Sequence, residues 1–527
     1  MRCRAINILG PEIGCAILAC LLLVTSPTAG GPRGQPLRAQ RVSGRPAVLS
    51  GQLAQTAPGG LLQGQVPLAD QQSGRSLTPY ALNVGLVGHN SVLNRGLNGN
   101  LAWVDDCAYV SAFYGGTHPY AGLAVVSVTD PANPRLVQIF PGTPGTREGQ
   151  VEGSQTSRML VVMTFSDYTA FGDLPGPNLL EFYQAPVGDC SHPVRVGTYD
   201  FGPIVPHEFR IWGDKIFVTN FGGFPGPSLM VIDAHDMANP QLLTTWDLSD
   251  EPGMPTSIAH DLDILGADDA LAGDGSRAYV NVQLSQPIAW PPTRNGLVIL
   301  DTSEVVQAKP NPVLRRVGPV LTWSLECCLS HSAAIVSIAG RRYILAMDET
   351  FRTDFCPWGS ARIIDVQDET QPVQVSTFSL QVQDPANCTQ ALGDNAIYSA
   401  HYLGVDDPNN AKLAFFTWYS SGLRVVDISN PAAPREVGYF NPGASPNTLF
   451  FDTSLTHMFN RNVDYAISYV RFYQGNIWFT SVYGGFWVVQ YQPPTTLGTG
   501  IPVTNGSPPA TVTIPATGVP PATGAAP

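Results

Sequence analysis

A short apolar phrase closed by turn residues recurs along this chain, at Gly122–Pro134, Leu229–Pro240, Gly296–Asp301, Ala361–Asp365, Gly422–Pro431 and Gly485–Gln490, with a weaker copy at Leu179–Tyr183. Each copy is rich in β-branched residues and too short for a helix, so it reads as a buried strand. The Asp, Asn and Pro behind it carry turn chemistry: short polar side chains bond the local backbone and proline fixes φ. A second phrase precedes the first in each unit. His207–Val218 and Ser468–Phe479 align without a gap, and Gly99–Val110 and Val151–Val162 fit the same frame. These are hairpins: strand, Gly/Asp/Asn turn, strand. A further strand follows, as at Arg135–Phe140 and Arg435–Phe440.

Four strands per unit, repeated around seven units without helices between them, predict an all-β, seven-bladed β-propeller with four-stranded antiparallel blades. A sheet apolar on both faces cannot bury them alone, so the units must stack radially. The seventh unit stops after its third strand at Tyr491. Tyr80–His89, whose Asn83–Gly88 resembles Arg435–Phe440, is expected to supply the missing strand, so that an N-terminal strand closes the last blade and leaves no open edge. This assigns residues 79–492 to one propeller domain.

The ends have a different character. Arg2 and Arg4, an apolar run from Cys15 to Val24 and small residues at Ser26–Gly30 make residues 1–30 a signal peptide. That run is short for a membrane span, and no later segment reaches the length of a transmembrane helix. Cys20 leaves a lipidated alternative open. Residues 31–78, rich in Gly, Gln, Pro and Ser, read as a flexible leader, and residues 493–527, rich in Pro, Thr, Gly and Ala, as a disordered tail. An exported chain that is secreted or held at the cell surface follows. Its net charge of −13 disfavours nucleic acid and anionic lipid as partners. Export also makes disulfides the expected fate of the cysteines beyond the signal: Cys107 with Cys190, and Cys327, Cys328, Cys356 and Cys388 paired within one neighbourhood.

Aligning the units on their first strand gives one column: Gly99, Val151, His207, His260, His331, His401 and Ser468. Four of the nine histidines thus fall in consecutive blades, at the start of the strand that lines the axis. Imidazole is a ligand for zinc, copper, iron and nickel, so His207, His260, His331 and His401 are candidate metal ligands. A nitrogen-only set suits copper or iron. Glu152, Glu208 and Asp261 each follow a column position and are candidate catalytic carboxylates, orienting the rings or relaying protons. The competing reading is structural, because a repeat also repeats the histidines that bond its own backbone.

The repeated phrase resembles that of the LVIVD-repeat proteins, exported bacterial β-propellers, over roughly residues 80–491. The resemblance implies fold and export, and leaves activity open. Two functions remain in view. One is a secreted or cell-surface scaffold that binds a protein, polymer or small molecule at the propeller rim, where insertions such as Asp268–Ser276 and Ser285–Thr293 are expected to lie. The other is a copper- or iron-dependent oxidoreductase with a four-histidine site at the axis and substrate in the gap left by Gly99 and Val151. Carotenoid-cleaving oxygenases, seven-bladed propellers holding iron by four axial histidines, are an architectural precedent without further likeness to this chain.

Overall fold

The computed structural model describes residues 80–493, except 114–119, 167–174, 221–225, 252–255, 286–293, 325–328, 351–355, 384, 390–395 and 446–463. The chain enters through β1 (Tyr80–Leu82) and β2 (Val84–Asn90). Blade one is β3–β6 (Asn98–Val104, Cys107–Ala112, Leu123–Ser127, Arg135–Phe140), and blade two is β7–β10 (Arg147–Gly153, Met159–Phe165, Leu179–Gln184, Val194–Asp200). Blade three is β11–β14 (Pro206–Trp212, Lys215–Asn220, Leu229–Asp233, Gln241–Trp246), and blade four is β15–β18 (Thr256–Ile264, Arg277–Ser285, Arg294–Asp301, Arg315–Ser324). Blade five is β19–β22 (Leu329–Ile338, Arg341–Glu349, Ala361–Asp365, Val373–Phe378), and blade six is β23–β26 (Leu403–Val405, Leu413–Thr417, Leu423–Asp427, Arg435–Asn441). Blade seven is β27–β29 (Arg471–Tyr473, Asn476–Ser481, Gly485–Tyr491), completed by β2.

Every blade is an antiparallel meander, so the expected seven-bladed propeller is the fold. β2 pairs with β29 from Val84 opposite Tyr491 to Asn90 opposite Phe486, the closure expected from Tyr80–His89. β28 packs on β3, so the ring is shut. The three residues of β1 do something else: they pair with β26 and add a fifth strand to blade six.

The apolar cores lie between blades. Tyr109 and Val125 of blade one meet Val151 and Leu160 of blade two, and Phe217 and Val231 of blade three meet Leu262 and Val280 of blade four. Blade seven packs Trp478 and Val488 on Leu101 and Val110 of blade one. The turn behind the repeated phrase fastens these interfaces. Asp130 Oδ1 accepts from Ala132 N at 3.1 Å and Oδ2 from Asn133 Nδ2 at 2.7 Å, a fold repeated by Asp236 with Ala238 and Asn239. The turn then lies against a glycine in the outermost strand of the preceding blade. A Cβ on Gly88 would stand 2.2 Å from Pro131 O, and one on Gly197 would stand 2.1 Å from Met237 O.

Two disulfides are formed. Cys107–Cys190 joins blades one and two across 83 residues, and Cys356–Cys388 closes 32. Cys327 and Cys328 lie outside the described residues. The bridges fit an oxidising compartment outside the cytoplasm. Among the described residues no helix is long and apolar enough to cross a membrane.

Two outcomes follow. Gly197→Ala should lose roughly 1–3 kcal/mol through the clash with Met237 O, while Gly202→Ala, with nothing near its Cβ, should lose no more than its left-handed backbone demands. Urea midpoints compare them. Replacing both Cys107 and Cys190 by serine should cost roughly 3–5 kcal/mol, the loop-closure entropy of a cross-link this long.

Candidate metal centre

A bulge builds the site. In blades one to five the two innermost strands shift register once, so that two residues face one. The doubled residues are Gly99 and Asn100, Gly149 and Gln150, His207 and Glu208, His260 and Asp261, His331 and Ser332. Blades six and seven present His401 with Tyr402 and Ser468 with Tyr469 just before β23 and β27. Hydroxyls hold the doubled backbone from blade to blade: Ser111 Oγ donates to Gly149 O at 2.9 Å, Thr219 Oγ1 to His260 O at 2.6 Å, Thr417 Oγ1 to Ser468 O at 2.9 Å and Thr480 Oγ1 to Gly99 O at 2.6 Å.

Blade two therefore contributes Gly149, two residues before the Val151 read from the sequence. Val151 is instead core between blades one and two. Glu152 is displaced with it. Its Oε2 accepts from Ile211 N at 3.0 Å and its Oε1 pairs with Arg210 Nη1 at 3.2 Å, in a cluster with Asp263 and Asp269 and away from the histidine rings.

The four histidines meet. His207 Nε2 and His260 Nε2 are 2.8 Å apart, and successive ring centroids are separated by 4.2, 4.2 and 4.5 Å along His207, His260, His331 and His401. His260, His331 and His401 are buried and His207 is partly so. Burial pushes His207 and His401 down to about 3. His260 and His331 are held well below the usual range by burial and by their histidine neighbours. All four rings are thus neutral, the form that ligates metal. His401 Nδ1 faces Ile467 O at 2.5 Å, so this nitrogen carries the proton and Nε2 presents a lone pair.

That lone pair points at a residue the sequence reading missed. Glu349, at the end of β20, places Oε1 3.5 Å from His401 Nε2 and Oε2 3.5 Å from His331 Nε2. Ligand atoms of His260, His331 and Glu349 lie within 4.8 Å of one another. The Tyr419 hydroxyl donates to Glu349 Oε1, and its ring stacks on His401 at 4.5 Å. Burial pushes Glu349 up to about 8 against that hydrogen bond. The same second-strand position carries Phe113 in blade one and Phe165 in blade two. Those rings cover the glycines: a Cβ on Gly99 would stand 2.8 Å from Phe113 Cδ2, and one on Gly149 would stand 2.7 Å from Phe165 Cε1. The site is polar on the side of blades three to six and apolar on the side of blades one and two.

A second layer adjoins the histidines. The Tyr402 hydroxyl donates to Glu208 Oε1, joining blade six to blade three, and Tyr469 donates to Asp261 Oδ2 at 2.7 Å, joining blade seven to blade four. The two tyrosine rings are 4.2 Å apart. Burial raises Glu208 well above its usual range, helped by the Asp261 charge, and raises Asp261 to about 7. The described contacts tie both carboxyls to tyrosines, not to imidazole nitrogens. The insertion around Asp268 lies at the β15–β16 turn, the opposite rim from the one that Ser285–Thr293 leaves. Asp268 Oδ2 accepts from Ser154 Oγ at 2.7 Å in blade two, Asp269 binds Arg210 in blade three, Leu271 N donates to Ile335 O at 3.1 Å in blade five, and Ala272 N donates to Asn409 Oδ1 at 3.0 Å in blade six. This segment, itself in blade four, ties five blades together at one rim.

Among the other histidines, His89 Nε2 meets Gly484 O at 2.6 Å and the ring stacks on Trp487, while His192 and His235 sit on exposed turns beside Asp189 and Asp214. His118 and His457 lie outside the described residues. Removing the Tyr402 hydroxyl should strand Glu208 in the interior. Tyr402→Phe is expected to cost roughly 1–3 kcal/mol in chemical unfolding, against nothing measurable for Tyr473→Phe at the β27–β28 turn.

The model of the LVIVD repeat matches residues 418–441, which hold β25 and β26 of blade six. No curated protein matches the chain. Among solved structures it is similar to the computationally designed Ika8 protein, at 8% identity and a TM-score of 0.39 over 77% of this chain and 98% of that one. It is also similar to the extracellular domain of BT4673 from B. thetaiotaomicron, at 12% identity and a TM-score of 0.41 over 77% of this chain and 39% of that one. The chain is thus a seven-bladed β-propeller that carries an LVIVD repeat in blade six.

Proposed function

We propose that this exported propeller is a metalloprotein whose axis holds one transition-metal ion between His207, His260, His331 and His401, and that it acts as an oxidoreductase on a small molecule. The observation that carries this reading is the 2.8 Å approach of His207 Nε2 to His260 Nε2 within a buried, neutral, four-ring cluster. Two nitrogens bound at right angles to one ion, with bonds of 2.0–2.1 Å, stand about 2.9 Å apart. His401 also bonds main chain, at Ile467 O, yet the four rings face one another across the blades.

When bound, the metal supplies a Lewis-acidic and redox-active centre. The protein does the rest. Blades three to six hold the nitrogens on bulges fixed by inter-blade hydroxyls. Gly99 and Gly149 leave the other side free of ligands, and Phe113 and Phe165 give the substrate an apolar wall. The described site contains no Lys or Arg, which favours a neutral substrate over an anion. Glu208 and Asp261, held by Tyr402 and Tyr469, stiffen the layer next to the rings. Glu152 has no part in the reaction and braces Arg210.

Protein made with copper, iron and zinc supplied should contain about one transition-metal ion per chain by elemental analysis. The His260→Ala, His331→Ala double variant should contain less than about a tenth of that. A wild-type chain free of transition metal would end this reading.

A second reading is a secreted or surface-held binding scaffold. The LVIVD repeat, the disulfides and the exposed valines Val187, Val194 and Val196 on blade two support it. It would be favoured by partner binding that survives loss of all four histidines.

A further inference from the structure

We infer that Glu349 is a direct oxygen ligand of the axial ion, joining the imidazoles of the histidine cluster, with His260 and His331 the rings grouped with it, and that the ion is therefore iron(II) and not copper. This rests on the axial metal site proposed above and adds to it an acidic ligand, a positioning residue and the identity of the metal.

The argument begins with a clash of like groups. His401 carries its proton on Nδ1, donated to Ile467 O, so its Nε2 is a bare lone pair. Across from that lone pair lies Glu349 Oε1, 3.5 Å away, an oxygen that already accepts from Tyr419. Two acceptors facing each other in a dry interior are unfavourable unless a proton on the carboxyl or a metal ion lies between them. The other carboxylate oxygen meets His331 Nε2 at the same 3.5 Å. Both carboxylate oxygens and at least two imidazole nitrogens therefore face one small volume, which His260 also borders.

Among the described residues Glu349 pairs with no cationic side chain and meets the two histidines and the Tyr419 hydroxyl. Burying a carboxylate without a counter-charge is costly, and an ion shared with neutral imidazoles removes that cost. The second-strand position that brings Glu349 to the axis carries phenylalanine in blades one and two, so its acidity is particular to this side of the ring.

Donor chemistry then selects the metal. Nitrogen alone leaves copper and iron open; a carboxylate oxygen added to imidazole nitrogens moves the set toward iron(II), the metal that mixed histidine and carboxylate sites with open positions hold. Tyr419 is a positioning residue: its hydroxyl fixes Oε1, and its ring packs on His401.

The test is metal binding by the full chain, stripped of metal and reloaded anaerobically with iron(II) or with copper(II), and read by chelator competition. Nitric oxide added to the iron form gives an EPR signal that reports the ligand set without turnover. Wild type should take up one iron(II). Glu349→Gln should lose iron(II) affinity roughly 100-fold while copper(II) affinity changes no more than roughly threefold, and Tyr419→Phe should lose roughly tenfold with a shifted nitrosyl spectrum. Circular dichroism checks folding. If Glu349→Gln does not fold, Glu349→Asp, which retracts the carboxylate by one methylene, should weaken iron(II) and shift the spectrum in the same way. Wild-type affinity and an unchanged nitrosyl spectrum in the folded Glu349 and Tyr419 variants would overturn the inference and leave the axial metal standing. A wild-type chain that binds neither iron(II), copper(II) nor zinc(II) would overturn both.

Discussion

Ring closure is the constraint on which everything else rests. Each blade is apolar on both faces, so an open array would leave one face of the first and last sheets in water. β2 removes that edge by placing the start of the chain beside β29, and β28 can then pack on β3. Closure also fixes the axis. The histidine side chains come from four different sheets, and no local interaction within one blade could bring His207 within 2.8 Å of His260. The site is a product of the global fold.

The fold was legible because its cause is a repeated local pattern. The apolar phrase, the Asp/Asn-Pro turn and the hairpin before it specify strand, turn and strand each time, and Asn83–Gly88 is similar enough to Arg435–Phe440 to declare the closing strand. β1 was not legible, since three residues carry no periodicity. The four histidines were found because blades three to six share one register there. Blade two was misread by two residues: Val151–Val162 matches the apolar alternation of the other hairpins, while the element that defines the site is a bulge, which interrupts that alternation and leaves no mark in composition. Glu349 was missed for a related reason. It ends the second strand, where blades one, two, four and six carry Phe113, Phe165, Gln283 and Tyr419, so no column of like residues announces it. Its signal was an acidic residue closing the apolar run Tyr343–Met347.

The axis is an expensive place to put these groups. Imidazoles, carboxyls and phenols are packed where a repeat protein needs only small apolar residues, and each must find a partner or remain neutral. The partners cross the ring: Tyr402 with Glu208, Tyr469 with Asp261, Tyr419 with Glu349. Blades one and two carry none of these groups at the axis and use Gly99 and Gly149 instead. In the histidine layer a polar half faces an apolar half within one ring of pseudo-equivalent sheets, which stability alone does not explain; one residue further along, Asn100 and Gln150 make blades one and two polar as well.

The segment around Asp268 has a mechanical consequence. From blade four it bonds blades two, three, five and six, so five of the seven sheets are laced together at one rim. A disturbance at any one of these sheets is thereby shared with the other four.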